Sequence, residues 1–474
     1  MERAQFDVVV VGGGPGGYVA AIRAAQLGLR TALVERDKVG GVCLHWGCIP
    51  TKAMLEAAEL VHRASLAPGF GIHLGEPRID PGQLFARRDQ VVDQLYRGLE
   101  TLIRGYGITL VRGTGRLSGP TTVLVSQDGS QQELAGRAVI VATGSRPKML
   151  PGWQPDPERI LTSNEALARR SIPRSVIIIG AGAVGVEFAS IWRDLGSEVT
   201  LVEALPRLVP LEDPEVSEAL ARAYARRGIT IRTGARVLPE TLQQGPDGVA
   251  VEITVENRTE RLTAECILVA IGRAANIENL GLEGLRVRIE RGAIQVNEYQ
   301  QTAEPNLYAI GDVTGRLPLA HVASAEGIVA AEAIAGQEPI PIDYLRAPRA
   351  TYCRPQIASM GLTEEEARAK GYEVKVGRFP FRPNSRALIL GEAEGFVKIV
   401  SDAKTGEILG AHLIGPHVTE LLPELTLARF LEATPDEIAT NIHAHPTLSE
   451  ALAEAAHAVF GQPIHLPPRT PAGR

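Results

Sequence analysis

The chain has 474 residues, 45% of them hydrophobic and 22% charged, and it carries a net charge of −6. This composition is typical of a globular protein with about three domains, and it excludes a disordered or collagen-like chain. No basic stretch favours nucleic acid or an anionic membrane as a partner, so we expect neither.

The N-terminal residues predict no targeting segment. Residues 6–11 already have the pattern of a buried strand, without the basic and apolar regions of a signal peptide. The most apolar stretch, residues 176–192, is interrupted by glycines and by Glu187, so it does not predict a membrane span. We therefore expect a cytoplasmic protein that is not bound to a membrane.

An internal repeat organises the N-terminal part of the chain. Each copy has an apolar strand, a glycine-rich turn, a helical segment and a second strand that ends in an acid. The distance from the first glycine of the turn to the acid is 23 residues in both copies, from Gly12 to Glu35 and from Gly180 to Glu203. Two such units of matching register predict two dinucleotide-binding domains built on parallel sheets.

The glycines of each turn have separate roles. In a dinucleotide-binding turn the first allows the tight bend, the second lets the backbone approach a pyrophosphate, and the third lets helix and strand pack closely. The residues that fit these roles are Gly12, Gly14 and Gly17 in the first copy and Gly180, Gly182 and Gly185 in the second. A single copy could be an ordinary tight turn, but two copies with matching acids favour nucleotide binding.

The acid at the end of each second strand distinguishes between cofactors. A carboxylate in this position accepts hydrogen bonds from the ribose diol of an adenosine and repels a 2′-phosphate. Glu35 and Glu203 occupy it, so neither site is predicted to bind NADP. Arg207 lies near the second acid but beyond the strand, which is typical of a solvated surface arginine.

Cys43 and Cys48 are the sharpest local signal. They could form a bridge only in a coiled segment, since five extended residues span about 17 Å and a disulfide needs Cα atoms within about 7 Å. So small a ring would stabilise the fold little, which favours a redox-active disulfide over two inert thiols. Zinc fits poorly because only His45 is near, and we expect no metal. The adjacent Gly40 and Gly41 suit a backbone pressed against a planar ligand.

The rest of the chain contains further strands and two boundaries. Residues 138–144, 266–272 and 306–312 have the pattern of buried strands. The Pro-rich residues 151–174 are expected to form a crossing linker, and residues 345–355 a second boundary. Beyond it an α+β module is expected, with strands at 396–400 and 408–414 and helices at 419–432 and 448–460. Residues 462–474 are expected to form an extended tail.

A histidine motif occupies residues 442–450. Thiol chemistry benefits from a histidine base, because an unperturbed thiol is mostly protonated at neutral pH. A carboxylate on the other ring nitrogen would fix the tautomer of that histidine. The same residues could simply begin a helix, because Thr447 and Glu450 have the spacing of a capping box after Pro446. The sequence leaves both interpretations open.

Together these motifs resemble the flavoprotein disulfide reductases, and among them the dihydrolipoamide dehydrogenase family. The resemblance is carried by both glycine turns, the segment 43–52, residues 310–312 (Ile-Gly-Asp) and residues 443–450. These motifs occur in the family's order, and the likeness extends to Phe460.

The resemblance implies that the first turn binds FAD and the second binds NAD. The residues implied to line FAD are Gly12, Gly14, Pro15, Gly16, Gly17, Glu35, Lys52, Gly115, Thr143, Gly144, Ser145, Asp312, Leu319, Ala320 and His321. Those implied to line NAD are Gly180, Gly182, Ala183, Val184, Gly185, Glu187, Glu203, Val237 and Gly272.

The resemblance also implies an α/β architecture with two Rossmann-like dinucleotide-binding domains, for FAD and NAD, and a C-terminal α+β dimerisation domain. The expected divisions are residues 1–150 for the FAD domain, 151–275 for the NAD domain, 276–345 for a central region that completes the FAD domain, and 346–474 for the dimerisation domain.

The implied activity is the oxidation of dihydrolipoyl groups with NAD⁺ as the final acceptor. Cys43 would exchange with the substrate, and Cys48 would contact the flavin. His445 would be the base, oriented by Glu450, and it would serve the disulfide of the other subunit in a homodimer. The implied partners are lipoylated carrier domains of 2-oxo acid dehydrogenase or glycine cleavage complexes.

Lys52 and Glu187 each follow one of these motifs. A lone lysine and a helical glutamate are usually solvated, which is the simpler interpretation. Glu187, however, lies in the otherwise apolar segment 183–192. An ion pair between the two, buried beside a flavin, would tune hydride transfer.

Related activities are considered as alternatives. Mercuric reductases carry a further C-terminal cysteine pair, and no cysteine follows Cys353 here. Glutathione-type reductases would need basic residues in the place of Glu203, and the related transhydrogenases lack the Cys43–Cys48 pair. A reductase of another small disulfide, or a non-catalytic component of a larger complex, stays open.

Overall fold

The structure is a computed structural model that describes residues 4–75 and 77–468. Its helices are α1 (Pro15–Gln26), α2 (Gly41–Trp46), α3 (Cys48–Leu66), α4 (Pro81–Gly105), α5 (Ser163–Ala168), α6 (Ala183–Asp194), α7 (Pro214–Arg226), α8 (Ala320–Ile334), α9 (Glu364–Ala369), α10 (Ser385–Leu390), α11 (Val418–Phe430), α12 (Pro435–Thr440) and α13 (Glu450–Val459). In the described part of the chain, none of them is long and apolar enough to cross a membrane.

The strands form three main sheets and several short ribbons. They are β1 (Ala4–Val11), β2 (Thr31–Glu35), β3 (Thr109–Arg112), β4 (Thr114–Gly119), β5 (Thr122–Gln127), β6 (Ser130–Val141), β7 (Ser145–Pro147), β8 (Ile160–Leu161), β9 (Ser175–Ile179), β10 (Glu198–Val202), β11 (Thr230–Arg232), β12 (Ala235–Gly245), β13 (Gly248–Val255), β14 (Arg258–Ala264), β15 (Cys266–Val269), β16 (Arg273–Ala275), β17 (Ile289–Glu290), β18 (Ala293–Ile294), β19 (Leu307–Ala309), β20 (Arg349–Thr351), β21 (Gln356–Gly361), β22 (Val374–Pro380), β23 (Phe396–Asp402) and β24 (Ile408–Gly415).

The first repeat builds a seven-stranded sheet. Its path is β3-β2-β1-β6-β5-β4, and β19 pairs with β6. The pairs among β3, β2, β1, β6 and β19 are parallel, whereas β5 and β4 continue the sheet antiparallel. Along β1, Val8 and Val10 pack in one core with α1 and α8, while Val9 and Val11 pack in the core on the opposite face. A strand covered on both faces has to be apolar, as residues 8–11 of β1 are.

The second repeat builds a five-stranded parallel sheet with the order β11-β10-β9-β15-β8. A three-stranded antiparallel sheet, β12-β13-β14, packs against one face through an aliphatic core. The other face is covered by α6 and α7, and α3 of the first repeat joins the same core through Met54 and Leu55. A two-stranded pairing of β7 with β16 also connects the two repeats.

The C-terminal part forms a five-stranded antiparallel sheet with the order β20-β21-β24-β23-β22. Its own core contains residues of α11, α12 and α13 as well as of the central strands. The α/β architecture with two parallel-sheet units and a C-terminal α+β domain is therefore the one predicted.

Two connecting segments carry more structure than the sequence indicated. Residues 160–161 form β8, the edge of the second sheet, and α5 follows with a capping box made by Thr162 and Glu165. The expected boundary at 345–355 includes β20, which is the first strand of the C-terminal sheet. The segment 151–174, expected to be a crossing linker, thus contains a strand and a helix, because a two-residue strand leaves no hydrophobic periodicity to detect. The expected boundary at 345–355 therefore lies at the start of the C-terminal sheet.

Candidate active site

The first glycine turn is tightly packed at its first and third glycines and open at its second, as a nucleotide-binding turn needs. Gly12 has a φ of +109°, and a Cβ there would lie 2.3 Å from the carbonyl oxygen of Ala142. A Cβ at Gly17 would lie 1.8 Å from the oxygen of Gly12, so strand and helix touch through both glycines. Beside Gly14, in contrast, a Cβ would meet nothing within 4 Å. The uncapped N-terminus of α1, which begins at Pro15, faces this open side.

The second turn repeats this geometry closely. Gly180 has a φ of +100°, and its Cβ would lie 2.4 Å from the oxygen of Ala270. A Cβ at Gly185 would lie 1.9 Å from the oxygen of Gly180, whereas Gly182 again has open space. Here α6 begins at Ala183 without a side-chain cap. Both turns therefore fit the diphosphate of a dinucleotide.

Both acids are held by backbone groups at the mouth of their turns. Glu35 accepts the N–H of Gly13 at 2.7 Å and that of Asp37 at 2.8 Å. Glu203 accepts the N–H of Ala181 at 2.7 Å, and its second oxygen accepts a backbone N–H two residues further on at 2.9 Å. Both carboxylates keep lone pairs for further donors, which fits a ribose diol at each site.

Several of the residues implied to line FAD meet beyond the end of β6. The hydroxyl of Ser145 donates to Asp312, and Arg273 Nε donates to the Ser145 Oγ at 2.7 Å. Thr143 and Asn276 exchange two hydrogen bonds, at 2.7 and 2.9 Å. Gly144 between them has a φ of +69° and open space beside it. This cluster joins three distant parts of the sequence.

The other implied residues lie as follows. Pro15 and Gly16 are in the first turn of α1, Gly115 is on β4 against the side chains of Val11 and Val34, Leu319 is the N-cap of α8, and Ala320 and His321 begin that helix. On the NAD side, Val184 is in the first turn of α6, Val237 is in the core on β12, and Gly272 has a φ of +107° after β15. Their contacts with cofactors stay a prediction.

The two cysteines lie on consecutive short helices. Cys43 is on α2, Cys48 is the first residue of α3, and both are free thiols that are hydrogen-bonded to each other. The coiled segment expected between them is present. Gly41 has a φ of +55°, and a Cβ there would lie 2.8 Å from the Cα of Gly14. The backbone before the cysteines is therefore pressed against the first glycine turn, where the sequence suggested a planar ligand.

The two thiols have opposite acidities. The hydrogen bond from Cys43 lowers the pKa of Cys48 to about 7, and the positive charge of Lys52 acts in the same direction. Accepting that hydrogen bond makes Cys48 the ionised partner, whereas the same bond, together with burial, raises the pKa of Cys43. When the pair loses a proton, the negative charge therefore resides on Cys48.

Lys52 is held in place by Glu187, as the ion-pair hypothesis predicted. Lys52 Nζ lies 2.8 and 2.9 Å from the two carboxylate oxygens of Glu187. Burial alone would lower the pKa of Lys52, but the charge and hydrogen bonds of Glu187 hold it above its ordinary value. The N–H of Tyr352 donates to Glu187 at 2.9 Å, and the Tyr352 ring lies 4.9 Å from Lys52 Nζ. The lysine is thus a fixed cation beside Cys48.

His445 and Glu450 form the expected pair. His445 Nδ1 lies 2.9 Å from Glu450 Oε1, and the other carboxylate oxygen accepts the N–H of Thr447 at 2.8 Å. The Thr447 hydroxyl does not cap α13; it donates to the oxygen of Ala444. Half of the capping box is therefore present, and the same carboxylate also orients the imidazole. Within the described residues of one chain, His445 bonds to Glu450 and to neither cysteine, and 70% of its side chain is exposed.

Three residues of the site, Tyr352, Arg273 and His443, were not selected from the sequence. Tyr352 and Arg273 reach the site through contacts more than 100 residues apart in the chain, which no local spacing reveals. His443 belongs to the C-terminal motif but is buried, and its Nε2 lies 2.8 Å from Glu424 of α11. The motif itself was the only available signal for it.

Comparison with known proteins gives consistent matches. The family model described as pyridine nucleotide-disulphide oxidoreductase matches residues 6–327, and that of the dimerisation domain of these enzymes matches residues 347–456. A dihydrolipoyl dehydrogenase of Bacillus subtilis is 47% identical over 97% of this chain and 99% of its own length.

Solved structures agree with these matches. The crystal structure of LpdA from Mycobacterium tuberculosis matches with a TM-score of 0.89 and 30% identity, over 96% of this chain and 99% of that one. The Cu(II) complex of RclA from Escherichia coli, described as an HOCl-induced flavoprotein disulfide reductase, has a TM-score of 0.84 and 25% identity, over 96% of this chain and 99% of that one.

Proposed function

Because the chain belongs to the pyridine nucleotide-disulphide oxidoreductase family, we propose that it oxidises dihydrolipoyl groups and passes the electrons to NAD⁺. Enzymes of this family use FAD and NAD. FAD would supply the two-electron chemistry that links the cysteine pair to hydride transfer to NAD⁺. The first glycine turn with Glu35 would hold FAD, and the second with Glu203 would hold NAD.

The observation that carries the proposal is the cysteine pair with Lys52, held by Glu187, next to Cys48, which makes Cys48 the more acidic thiol. In thiol–disulfide exchange the sulfur with the lower pKa is the better leaving group. The pKa of Cys48 is about 7, so an attacking thiolate is directed to Cys43 and Cys48 departs as thiolate. Lys52 lies beside the departing charge and stabilises it.

Substrate oxidation then proceeds in two exchanges. One dihydrolipoyl thiol loses its proton to His445 and attacks Cys43, which forms a mixed disulfide and breaks the Cys43–Cys48 bond. The second dihydrolipoyl thiol attacks the substrate sulfur of that mixed disulfide. The second thiol gives its proton to Cys43 as lipoyl disulfide leaves. The pair is then left as the Cys43 thiol and the Cys48 thiolate. Two electrons and two protons have moved from the substrate to the protein.

Glu450 decides which nitrogen of His445 accepts the proton. Because Nδ1 lies 2.9 Å from a carboxylate oxygen, Nδ1 carries the hydrogen and Nε2 is the free acceptor. When Nε2 takes the proton, the carboxylate stabilises the imidazolium. Burial opposes ionisation of Glu450, but the Thr447 N–H and the bond to His445 hold its pKa below the ordinary value. It therefore stays ionised through the cycle.

The assembly that we propose is a homodimer in which His445 of the partner subunit serves the cysteines of this chain. The exposed side chain of His445, which bonds to neither cysteine within the described residues of its own chain, supports this arrangement, as does the match to the dimerisation domain. We further propose lipoylated carrier domains of 2-oxo acid dehydrogenase or glycine cleavage complexes as partners, in the cytoplasm. We also propose the division into an FAD domain (1–150), an NAD domain (151–275), a central region that completes the FAD domain (276–345) and a dimerisation domain (346–474).

Steady-state oxidation of dihydrolipoamide by the FAD-loaded protein tests the function, with NAD⁺ and NADP⁺ in parallel. We expect turnover with NAD⁺ and little with NADP⁺, and loss of turnover in Cys43→Ser. Dithiothreitol and reduced glutathione are the comparison substrates. Equal or faster turnover of either one would contradict the assignment to dihydrolipoyl groups and favour a reductase of another small disulfide.

A further inference from the structure

The C-terminal segment after α13 turns back along that helix. Gln462 N–H donates to the oxygen of His457 at 3.1 Å, and Gly461 N–H donates to that of Ala458 at 3.0 Å. With Gly461 at a φ of +73°, this is a Schellman motif, which ends a helix by reversing the chain. Leu466 then packs against the core of the C-terminal domain. The described part of the Pro-rich segment is therefore anchored rather than extended away from the molecule.

This reversal brings three donors to one buried carboxylate. Glu454 accepts the N–H groups of Ile464 at 3.0 Å and of His465 at 3.2 Å. His465 Nδ1 lies 2.7 Å from the other oxygen of Glu454. The Glu454 side chain is 9% exposed, so these donors satisfy a carboxylate that water scarcely reaches. The His465 ring itself is 71% exposed.

Glu454 lies one helical turn after Glu450, the residue that orients His445. Side chains four residues apart on a helix are neighbours, so α13 presents two carboxylates side by side, each with an imidazole. Without donors of its own, the Glu454 carboxylate would repel the charge of Glu450 and compete for the Nδ1–H of His445. In the structure, Ile464 and His465 supply these donors, so the Glu454 carboxylate is engaged by the tail instead.

We propose that His465 is a positioning residue for the oxidation of dihydrolipoyl groups. It engages Glu454 and so leaves Glu450 as the one acceptor for His445 Nδ1–H, which fixes the tautomer of the base. Burial of Glu450 raises its pKa, and the contacts with Thr447 and His445 lower it. A positive charge on His465 lowers the pKa of Glu450 further. The inference rests on the proposed function, since it assigns His445 the role of base.

The kinetic test uses His465→Ala, His465→Asn and Glu454→Gln in the FAD-loaded dimer. We expect His465→Ala to slow reduction by dihydrolipoamide by about threefold to tenfold, a small part of what a general base supplies. Glu454→Gln removes the competing carboxylate, so it should leave the rate near that of wild type and should restore the rate when combined with His465→Ala. NADH oxidation by an artificial acceptor, which does not need His445, should be unchanged. Asn keeps a donor near the position of Nδ1, so His465→Asn should restore most of the rate.

Two controls separate positioning from loss of structure. His457 is on the same helix, and its side chain makes no hydrogen bond within residues 4–75 and 77–468, so His457→Ala should behave as wild type. In a His445→Gln background, His465→Ala should cause no further loss, because it acts through His445. A further, additive loss there, or equal loss of both activities, would overturn the proposal in favour of a structural role.

A substrate-independent readout keeps this inference separate from the proposed function. An imidazole Nδ1–H bonded to a carboxylate gives a downfield proton signal, which ¹⁵N-histidine labelling and the His445→Gln variant assign to His445. We expect His465→Ala to shift this signal and to speed its exchange with water. An unchanged signal would overturn the inference, whatever substrate the wild type oxidises. Failure of wild type to oxidise dihydrolipoamide, with the signal shifted in the variant, would overturn the function alone.

Discussion

The first and second glycine turns differ in the chain segment that follows their acids, Glu35 and Glu203. Their backbones match closely: the Cβ positions at Gly12 and Gly180 would lie 2.3 and 2.4 Å from a carbonyl oxygen, and both acids accept two backbone N–H groups. After Glu35 the chain turns back at once, and Gly41 presses against Gly14 so that α2 and α3 bring two thiols next to the turn.

After Glu203 the chain instead passes through a loop to α7, and the next cysteine is Cys266, inside a buried strand. Unlike the first turn, the second is therefore not followed by a cysteine pair, and we expect it to serve in binding. A shared nucleotide-binding frame thus does not determine the chemistry, which depends on the connection after the second strand. Variants near each turn can test whether the first turn adjoins the chemistry while the second only binds a nucleotide.

The largest effect is expected for Cys48→Ser, on the chemical side of the comparison. Oxidation of dihydrolipoamide should fall by about 10³-fold or more, because the exchange loses its leaving group. FAD content, read from flavin absorbance, and the NADH reaction with an artificial acceptor should be retained, since both turns are intact. Loss of flavin in this variant would mean that the cysteine segment also builds the first nucleotide site.

A smaller loss is expected for His445→Gln, which leaves both turns and both thiols untouched. Removing a general base should slow reduction by dihydrolipoamide by about 10²- to 10³-fold. The rate is best measured in a single turnover, with NADH oxidation by an artificial acceptor as the internal control. Parallel loss of both would indicate a defect in folding or dimer formation.

The two acids give a matched pair of variants across the turns. Glu203→Ala should reduce the preference for NAD⁺ over NADP⁺ by about tenfold or more, because hydrogen bonds to a charged group contribute about 1.5–3 kcal/mol. Glu35→Ala should leave that preference unchanged and weaken retention of FAD. Ratios of kcat/KM for the two nucleotides, and flavin released on dilution, are the measurements. A changed nucleotide preference in Glu35→Ala would break the assignment of the turns.

The smallest effect concerns the charge beside the thiols. In wild type the rate of Cys48 alkylation by iodoacetamide should rise with pH around a midpoint near 7, since the thiolate is the reactive form. Lys52→Met removes a cation that favours the thiolate, so the midpoint should move up by about one pH unit. Glu187→Gln, combined with Lys52→Met, controls for the carboxylate left without its partner. A midpoint that stays near 7 would mean that Lys52 does not act on Cys48.

The parts of the site predicted from sequence are those whose signal is local. The glycine turns, Glu35 and Glu203 each stand at a fixed spacing from the buried apolar residues of a strand, and the two cysteines lie five residues apart. Their geometry results from steric limits within one unit, such as the close approach of Gly12 and Gly17. The ion pair of Lys52 and Glu187 was a hypothesis that the structure bears out.

The parts that the sequence did not reveal depend on long-range contacts. Tyr352 reaches Glu187 across 165 residues, and β8 joins the second sheet through two residues only. The Pro-rich tail has a composition typical of extended chain, and the glycine that reverses it shows its role only once α13 is known to end there. None of these contacts leaves a periodic pattern of apolar residues in the sequence.

In the homodimer that we propose, the disulfide of one subunit and the base of the other form one active site. Hybrid dimers purified through two different tags test it directly, with Cys48→Ser in one subunit and His445→Gln in the other. The hybrid keeps one intact pairing across the subunits, so we predict about half of the wild-type turnover per dimer, while each parent homodimer is nearly inactive. A hybrid as inactive as its parents would contradict the account and place His445 with the cysteines of its own chain.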